Sequence, residues 1–131
     1  MVLLPIRLSK ESREPIYHQI EKQLKALIAG GHLTAGTPLP SIRALSKDLE
    51  ISVITIRRAY QDLEAQGFIE TAHGKGTYVA EIKDVLKQEV KTASVSESFE
   101  RAIETARSYD YSDEEMTAIF HAILEKRKKG E

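Results

Sequence analysis

The chain has 131 residues, 41% hydrophobic and 30% charged, with a formal net charge of −1, enough for one compact core with an appendage or for two small ones. That balance excludes a disordered chain and disfavours a two-lobed enzyme. No apolar run approaches the roughly 18 residues of a bilayer span, so a soluble, cytoplasmic protein is expected. Cysteine is absent, which removes disulfides, thiolate zinc sites and thiol nucleophiles.

The opening Met1-Val2-Leu3-Leu4 runs into Pro5 without a charged start or a cleavage site, so residues 1–12 read as an N-terminal segment and not a secretory signal. From residue 15 to 29, Ile16, Ile20, Leu24, Leu27 and Ile28 share one helical face, with Pro15 suited to a first turn and Gly30-Gly31 to a stop. Gly36-Thr37-Pro38-Leu39-Pro40 reads as a turn-rich link. Ser41 then caps a short helix to about Leu49, with Ile42, Leu45 and Leu49 inward. Ser52 caps a third helix whose apolar line Ile56, Ala59, Tyr60 and Leu63 ends at Gly67.

Phe68 to Ala72 and Thr77 to Ala80 have the aromatic and β-branched content of strands, joined by a loop with two glycines. This is a hairpin wing. Beyond Glu81 the helical period returns through Ile82, Val85, Leu86 and Val90, then Phe99, Ile103 and Ala106. A β-branched, Ser-rich stretch from Thr92 to Ser98 predicts one kinked helix or two. The last helix opens on a Ser112/Glu115 capping box and carries Met116, Ile119, Phe120, Ile123 and Leu124 as a stripe. The expected fold is mainly α with a small β-hairpin: a winged helix-turn-helix over residues 13–81, then a helical dimerisation tail over residues 82–131.

Charge divides along the same boundary. Residues 1–80 hold ten Lys and Arg against eight Asp and Glu, and residues 81–131 hold nine against twelve. A slightly basic first half beside an acidic second fits a DNA-binding face with the tail kept off it.

At 100° per residue, Ile56, Ala59, Tyr60 and Leu63 cluster on one side of the third helix, with Ile54, Arg58 and Gln61 opposite and Thr55 and Arg57 on the flanks. A helix in the major groove needs outward donors near its N-terminus. Arg57, Arg58 and Thr55 supply them, and a thymine methyl gives the outward Ile54 a rationale. Two adjacent arginines alone more often solvate a helix; the preceding capped helix and the following wing tip the balance to duplex DNA. Ser41 and Arg43, in the first turn of the second helix, suit a phosphate, although a surface ion pair of Arg43 with Asp48 or Glu50 is locally as good. In the wing, Gly74 and Gly76 permit φ > 0 and close approach, and His73 and Lys75 supply polar contacts.

Taken together, these residues resemble the GntR family of bacterial transcription regulators. The match spans about residues 13 to 81: Pro15-Ile16-Tyr17, the link to Pro40, Ser41-Ile42-Arg43-Ala44-Leu45, Thr55-Ile56-Arg57-Arg58-Ala59-Tyr60, Leu63-Glu64 with Gly67, and Gly74-Lys75-Gly76-Thr77-Tyr78-Val79. Arg58-Ala59-Tyr60 and the short tail look like the YtrA subfamily. The resemblance implies a dimeric repressor without a large effector domain. It carries DNA contacts to Arg43, Ser52, Thr55, Arg57 and Arg58, with His73, Gly74 and Lys75 in the wing. Val53 stands where many relatives carry arginine, so that arginine's guanine contact is not carried over.

A single unit of this kind covers few base pairs, so two at fixed spacing are expected on a palindromic operator, joined through Met116, Ile119, Phe120, Ile123 and Leu124. The alternative is that the stripe closes onto the chain's own DNA-binding domain. A small-molecule effector could lodge only in the tail, where Tyr109, Tyr111 and Phe120 are candidates, though aromatic packing explains them as well. The basic end from Lys126 to Lys129 is read as a helix terminus and not a membrane contact. The four histidines match no metal or triad spacing, so no enzyme, metal or cofactor is expected. A winged helix serving protein or RNA contacts is the remaining alternative.

Overall fold

The computed structural model describes residues 4–130; Met1 to Leu3, part of the stretch read above as no secretory signal, lie outside the described residues. Within the described residues the chain forms five helices and a three-stranded antiparallel sheet. They are α1 (Ile16–Ala29), β1 (Pro38–Leu39), α2 (Ile42–Leu49), α3 (Val53–Ala65), β2 (Ile69–Ala72), β3 (Gly76–Val79), α4 (Asp84–Ser108) and α5 (Asp113–Gly130). The backbone separates into two compact units, Met1–Thr92 and Ala93–Glu131. The division falls inside α4, some ten residues beyond the boundary drawn from the sequence.

In the first unit α1, α2 and α3 enclose one core. Ile20, Leu24, Leu45, Ile56 and Leu63 are fully buried, with Phe68, Ile69 and Val79 of the hairpin beside them. The helical spacing of these residues is what turns them to a single interior. Leu86 and Val90 of α4 pack against the edge of that core. The N-terminal segment also belongs to it: Leu4 is buried, and Ile6 and Leu8 pack alongside. Two glutamines of α1 hold this segment by pairing with its backbone. Gln23 accepts from the Arg7 amide at 2.9 Å and donates to the Arg7 carbonyl at 2.7 Å. Gln19 accepts from the Ser9 amide and donates to the Ser9 and Glu14 carbonyls, all within 2.9 Å.

The link read as turn-rich contains a short strand. Pro38 and Leu39 pair with Tyr78 and Thr77, so β3 is the central strand, in the order β1-β3-β2. A two-residue strand gives no alternation to detect, and Pro38 within it and Pro40 just after it pointed to a turn. Its place is reinforced by the Gly36 amide donating to the Val79 carbonyl at 2.8 Å and by the Tyr60 hydroxyl donating to the Pro40 carbonyl at 2.7 Å.

The stretch from Thr92 to Ser98 does not interrupt α4, which runs unbroken for 25 residues. In the second unit Asp110 adopts the left-handed conformation at φ 62° and ends α4, with the Tyr111 amide returning to the Ala106 carbonyl at 3.1 Å. The capping box of α5 forms in both directions: Ser112 Oγ accepts from the Glu115 amide at 3.1 Å, and Glu115 Oε1 accepts from the Ser112 amide at 2.9 Å. No helix of the described residues is long and apolar enough to cross a membrane.

Candidate nucleic-acid interface

Capping sets the entry of both helices of the central pair. Ser41 Oγ accepts from the Ala44 amide at 3.0 Å, and Ser52 Oγ accepts from the Thr55 amide at 3.3 Å while lying 2.9 Å from Thr55 Oγ1. The turn between them is held by Glu50, left-handed at φ 56°, and by the Ser46 hydroxyl donating to the Ile51 carbonyl. Burial of Ile56, Ala59, Tyr60 and Leu63 then dictates which face of α3 is left to solvent. That face carries Ile54, Arg57 and Arg58, all exposed.

The two arginines are not equivalent. Arg57 makes no ion pair or side-chain hydrogen bond among the described residues and is free to meet an anion or a base edge. Arg58 instead lays its guanidinium over the Tyr17 ring at 3.8 Å from the centroid, with Nε 4.0 Å from the Asp62 carboxylate. Arg58 is therefore engaged twice, by Tyr17 of α1 and by Asp62 one turn along α3 itself. The Asp62 partnership follows from i,i+4 spacing and was legible in the sequence; the Tyr17 contact needs the packing of α1 on α3.

Behind Arg58 lies a third group missed from the sequence. Glu21 of α1 is only 5% exposed, and its Oε2 has no hydrogen-bond partner among the described residues. Burial pushes its carboxyl up to about 7, helped by the neighbouring Asp62 carboxylate and opposed by Lys25 and Arg58. A glutamate on a helix facing a predicted interior was the available signal.

Arg43, in the first turn of α2, is exposed and pairs with neither Asp48 nor Glu50 among the described residues. In the wing, Gly74 and Gly76 have φ of 77° and 97°, the left-handed backbone that glycine adopts without strain. The Lys75 amide closes the turn on the Ala72 carbonyl at 3.0 Å, leaving the His73 and Lys75 side chains exposed at the tip. The hairpin is tied to α3 by the Thr71 amide donating to Glu64 Oε2 at 3.2 Å.

In the second unit, α5 and the end of α4 frame an apolar groove of about 610 Å³ lined by Phe99, Ile103, Met116, Phe120 and Ile123. Phe99 and Phe120 meet edge to face at 5.6 Å. Ile119, Phe120, Ile123 and Leu124 all remain exposed and Met116 is half-buried. Of the three aromatics considered for an effector, Phe120 lines the groove, whereas Tyr109 and Tyr111 do not. No cluster of metal-ligating side chains occurs among the described residues.

A capped helix pair whose second member turns a cationic flank to solvent, followed by a glycine-tipped hairpin, defines a winged helix-turn-helix DNA-binding protein. A family model described as "Bacterial regulatory proteins, gntR family" matches residues 16–79, the stretch containing α1 to β3. The chain belongs to the GntR family: it is a DNA-binding transcription regulator and not an enzyme. It is 36% identical over 98 residues to the HTH-type transcriptional repressor YtrA of Bacillus subtilis, a match covering 75% of each chain. A GntR family transcriptional regulator from Listeria monocytogenes superposes with a TM-score of 0.69 at 28% identity, covering 86% of this chain and 97% of that one. YtrA from Sulfolobus acidocaldarius, a GntR-family transcription factor, has a TM-score of 0.55 at 31% identity, covering 92% and 97%.

Proposed function

We propose that this regulator is a homodimeric repressor of a palindromic operator. The N-terminal half of α3 enters the major groove, the wing follows the backbone or minor groove, and the helical tail joins two copies. The observation that carries this reading is Arg57: an exposed guanidinium without an ion partner among the described residues, on the flank of a capped helix to which strand β2 of the wing is tied. Desolvating a free cation against DNA breaks no internal pair, and a bidentate guanine contact gives it a sequence preference.

The remaining contacts follow by position. Arg43 and the capped start of α2 at Ser41 reach a phosphate; Ser52 and Thr55 flank the entry of α3; His73, Gly74 and Lys75 form the wing contact. Arg58 holds α3 against Tyr17 and contributes to DNA binding mainly as a positive charge beside the groove. Met116, Ile119, Phe120, Ile123 and Leu124 make the subunit contact, supported by the exposure of apolar side chains that a hairpin of two helices leaves half covered. Repression is favoured by the similarity to the Bacillus subtilis repressor. The tail groove is where a small-molecule effector would lodge.

The test is selection of binding sequences from a random duplex pool with the full chain, then mobility shift of the winner at rising salt. A selective shift that weakens with salt, on a site made of two inverted halves, is expected. Arg57→Ala should weaken that shift by about 1–3 kcal/mol and relax one base position, with Arg58→Ala affecting all sequences alike. Failure to enrich any duplex overturns the reading.

A further inference from the structure

Ile54 is the most exposed large hydrophobic side chain among the described residues, at 77%. A lone exposed aliphatic residue is ordinary on a protein surface, so exposure by itself carries no meaning. Position does. Ile54 is the second residue of α3, in the turn whose side chains reach base edges when such a helix enters the major groove.

Its neighbours narrow what that turn can read. Ser52 Oγ is engaged by the Thr55 amide, and the Ser52 and Thr55 hydroxyls contact each other at 2.9 Å, so the polar groups at the helix tip are largely satisfied within the chain. Arg58 is stacked on Tyr17 and drawn to Asp62. What remains unengaged at the start of α3 is one cation, Arg57, and one rigid apolar branch, Ile54. Of the groups that base pairs present in the major groove, the apolar one is the C5 methyl of thymine. Isoleucine is stiff at χ1, so little side-chain freedom is lost when such a methyl packs against it.

We propose that Ile54 is a specificity-determining residue that reads thymine by its C5 methyl, beside a base pair read by Arg57. This rests on the placement of α3 in the groove proposed above. Three residues along a helix separate the two side chains by about 4.5 Å and about 60° of rotation, close to one base step of about 3.4 Å. The half-site therefore contains a thymine adjacent to, or one step beyond, the pair that Arg57 contacts. Because the contact is apolar, deleting one methyl should remove it while leaving every hydrogen-bonding edge of the site intact.

The experiment replaces each thymine of the selected operator, one at a time, by deoxyuridine, which lacks only that methyl. Binding of the full chain and of Ile54→Ala is compared on each duplex. At one thymine per half-site, deoxyuridine should weaken the wild-type chain about fourfold, the effect of one buried methyl-sized group. The Ile54→Ala chain should bind thymine and deoxyuridine duplexes alike there. Since Ile54 is solvent-exposed, the variant should unfold at the same temperature as wild type, which separates lost reading from lost folding. If the operator binds but deoxyuridine is neutral at every position, or weakens both chains equally, the inference falls while the DNA-binding reading stands. If no duplex is bound at all, both fall together.

Discussion

The two compact units solve the same problem differently. In the first, Ile20, Leu24, Ile56 and Leu63 are withdrawn completely from water by three helices, a hairpin and an N-terminal strap. In the second, Phe99, Ile103, Phe120 and Ile123 meet across one hairpin and stay at least 43% exposed. Both units carry apolar stripes at helical spacing, more sharply one-sided in the helices of the first, but a stripe does not by itself say what will cover it. What distinguishes them is the number of elements available to cover the stripe: two helices bring only one layer to each other. A closed unit covers its own stripe, whereas an open one is completed by whatever covers it, which in the function proposed above is a second copy.

The largest expected effect attacks the open side of that contrast. Phe120→Asp places a carboxylate where the subunit contact is proposed, and leaving it buried without a partner is costly. Sedimentation should show monomers, and operator affinity should fall by about 100-fold or more as binding of the second half-site ceases to be intramolecular. Dimers that persist would move the contact elsewhere, and monomers with undiminished affinity would remove the tail from DNA binding.

Leu24→Ala attacks the closed side. Truncating a fully buried leucine should lower stability by about 2–5 kcal/mol. The midpoint of thermal unfolding should drop by the same amount at every protein concentration. Ile123→Ala should instead produce a loss that shrinks as concentration rises, because mass action restores the dimer. If both variants behave alike, the distinction between the units is wrong.

How much of this was legible beforehand follows the same line. The caps at Ser41, Ser52 and Ser112, the helices they open and the glycine-tipped hairpin were readable, because each depends on residues near one another in sequence, three positions apart in the caps and at most ten in the hairpin. The exposed placement of Ile54 and Arg57 followed from helical geometry once the buried face of α3 was chosen. Illegible were features set by distant packing: β1, whose two residues are ordered by β3, and the stacking of Arg58 on Tyr17; the burial of Glu21 had a signal in its helical position that went unused. The continuity of α4 through Thr92 to Ser98 went unread because β-branched and serine residues only weakly oppose a helix.

Glu21 gives the closed unit a pH dependence. Its carboxyl is raised to about 7 in the folded chain, chiefly by burial and then by Asp62 of α3, with Lys25 of α1 and Arg58 of α3 opposing. The folded form thus holds the proton more tightly than the unfolded form. Stability is complete below the ordinary carboxylate range and is lost as pH rises toward and through about 7. Glu21→Gln removes the ionisation and keeps the shape, so its advantage over wild type in urea unfolding should grow from pH 5 to pH 8, by at most about 3 kcal/mol. An advantage that is flat with pH would mean that Glu21 ionises in place at no cost.

The smallest effects come from removing the same cap in each unit. Ser41 Oγ accepts one amide at the start of α2, and its loss in Ser41→Ala should lower stability by about 1 kcal/mol. Ser112 is the tail's equivalent, and its hydrogen bonds with Glu115 hold that carboxyl below the usual range. Both changes fray one helical turn, but α2 frays within a core that holds it on other sides, while α5 frays in a hairpin with little else to hold it. Ser41→Ala should therefore shift unfolding without changing the monomer–dimer equilibrium. Ser112→Ala should raise the dimer dissociation constant severalfold while leaving the winged unit's hydrogen-exchange protection unchanged. If Ser112→Ala instead leaves the dimer untouched, α5 is held by more than its cap and hairpin partner, and the second unit is less open than its exposed stripe implies.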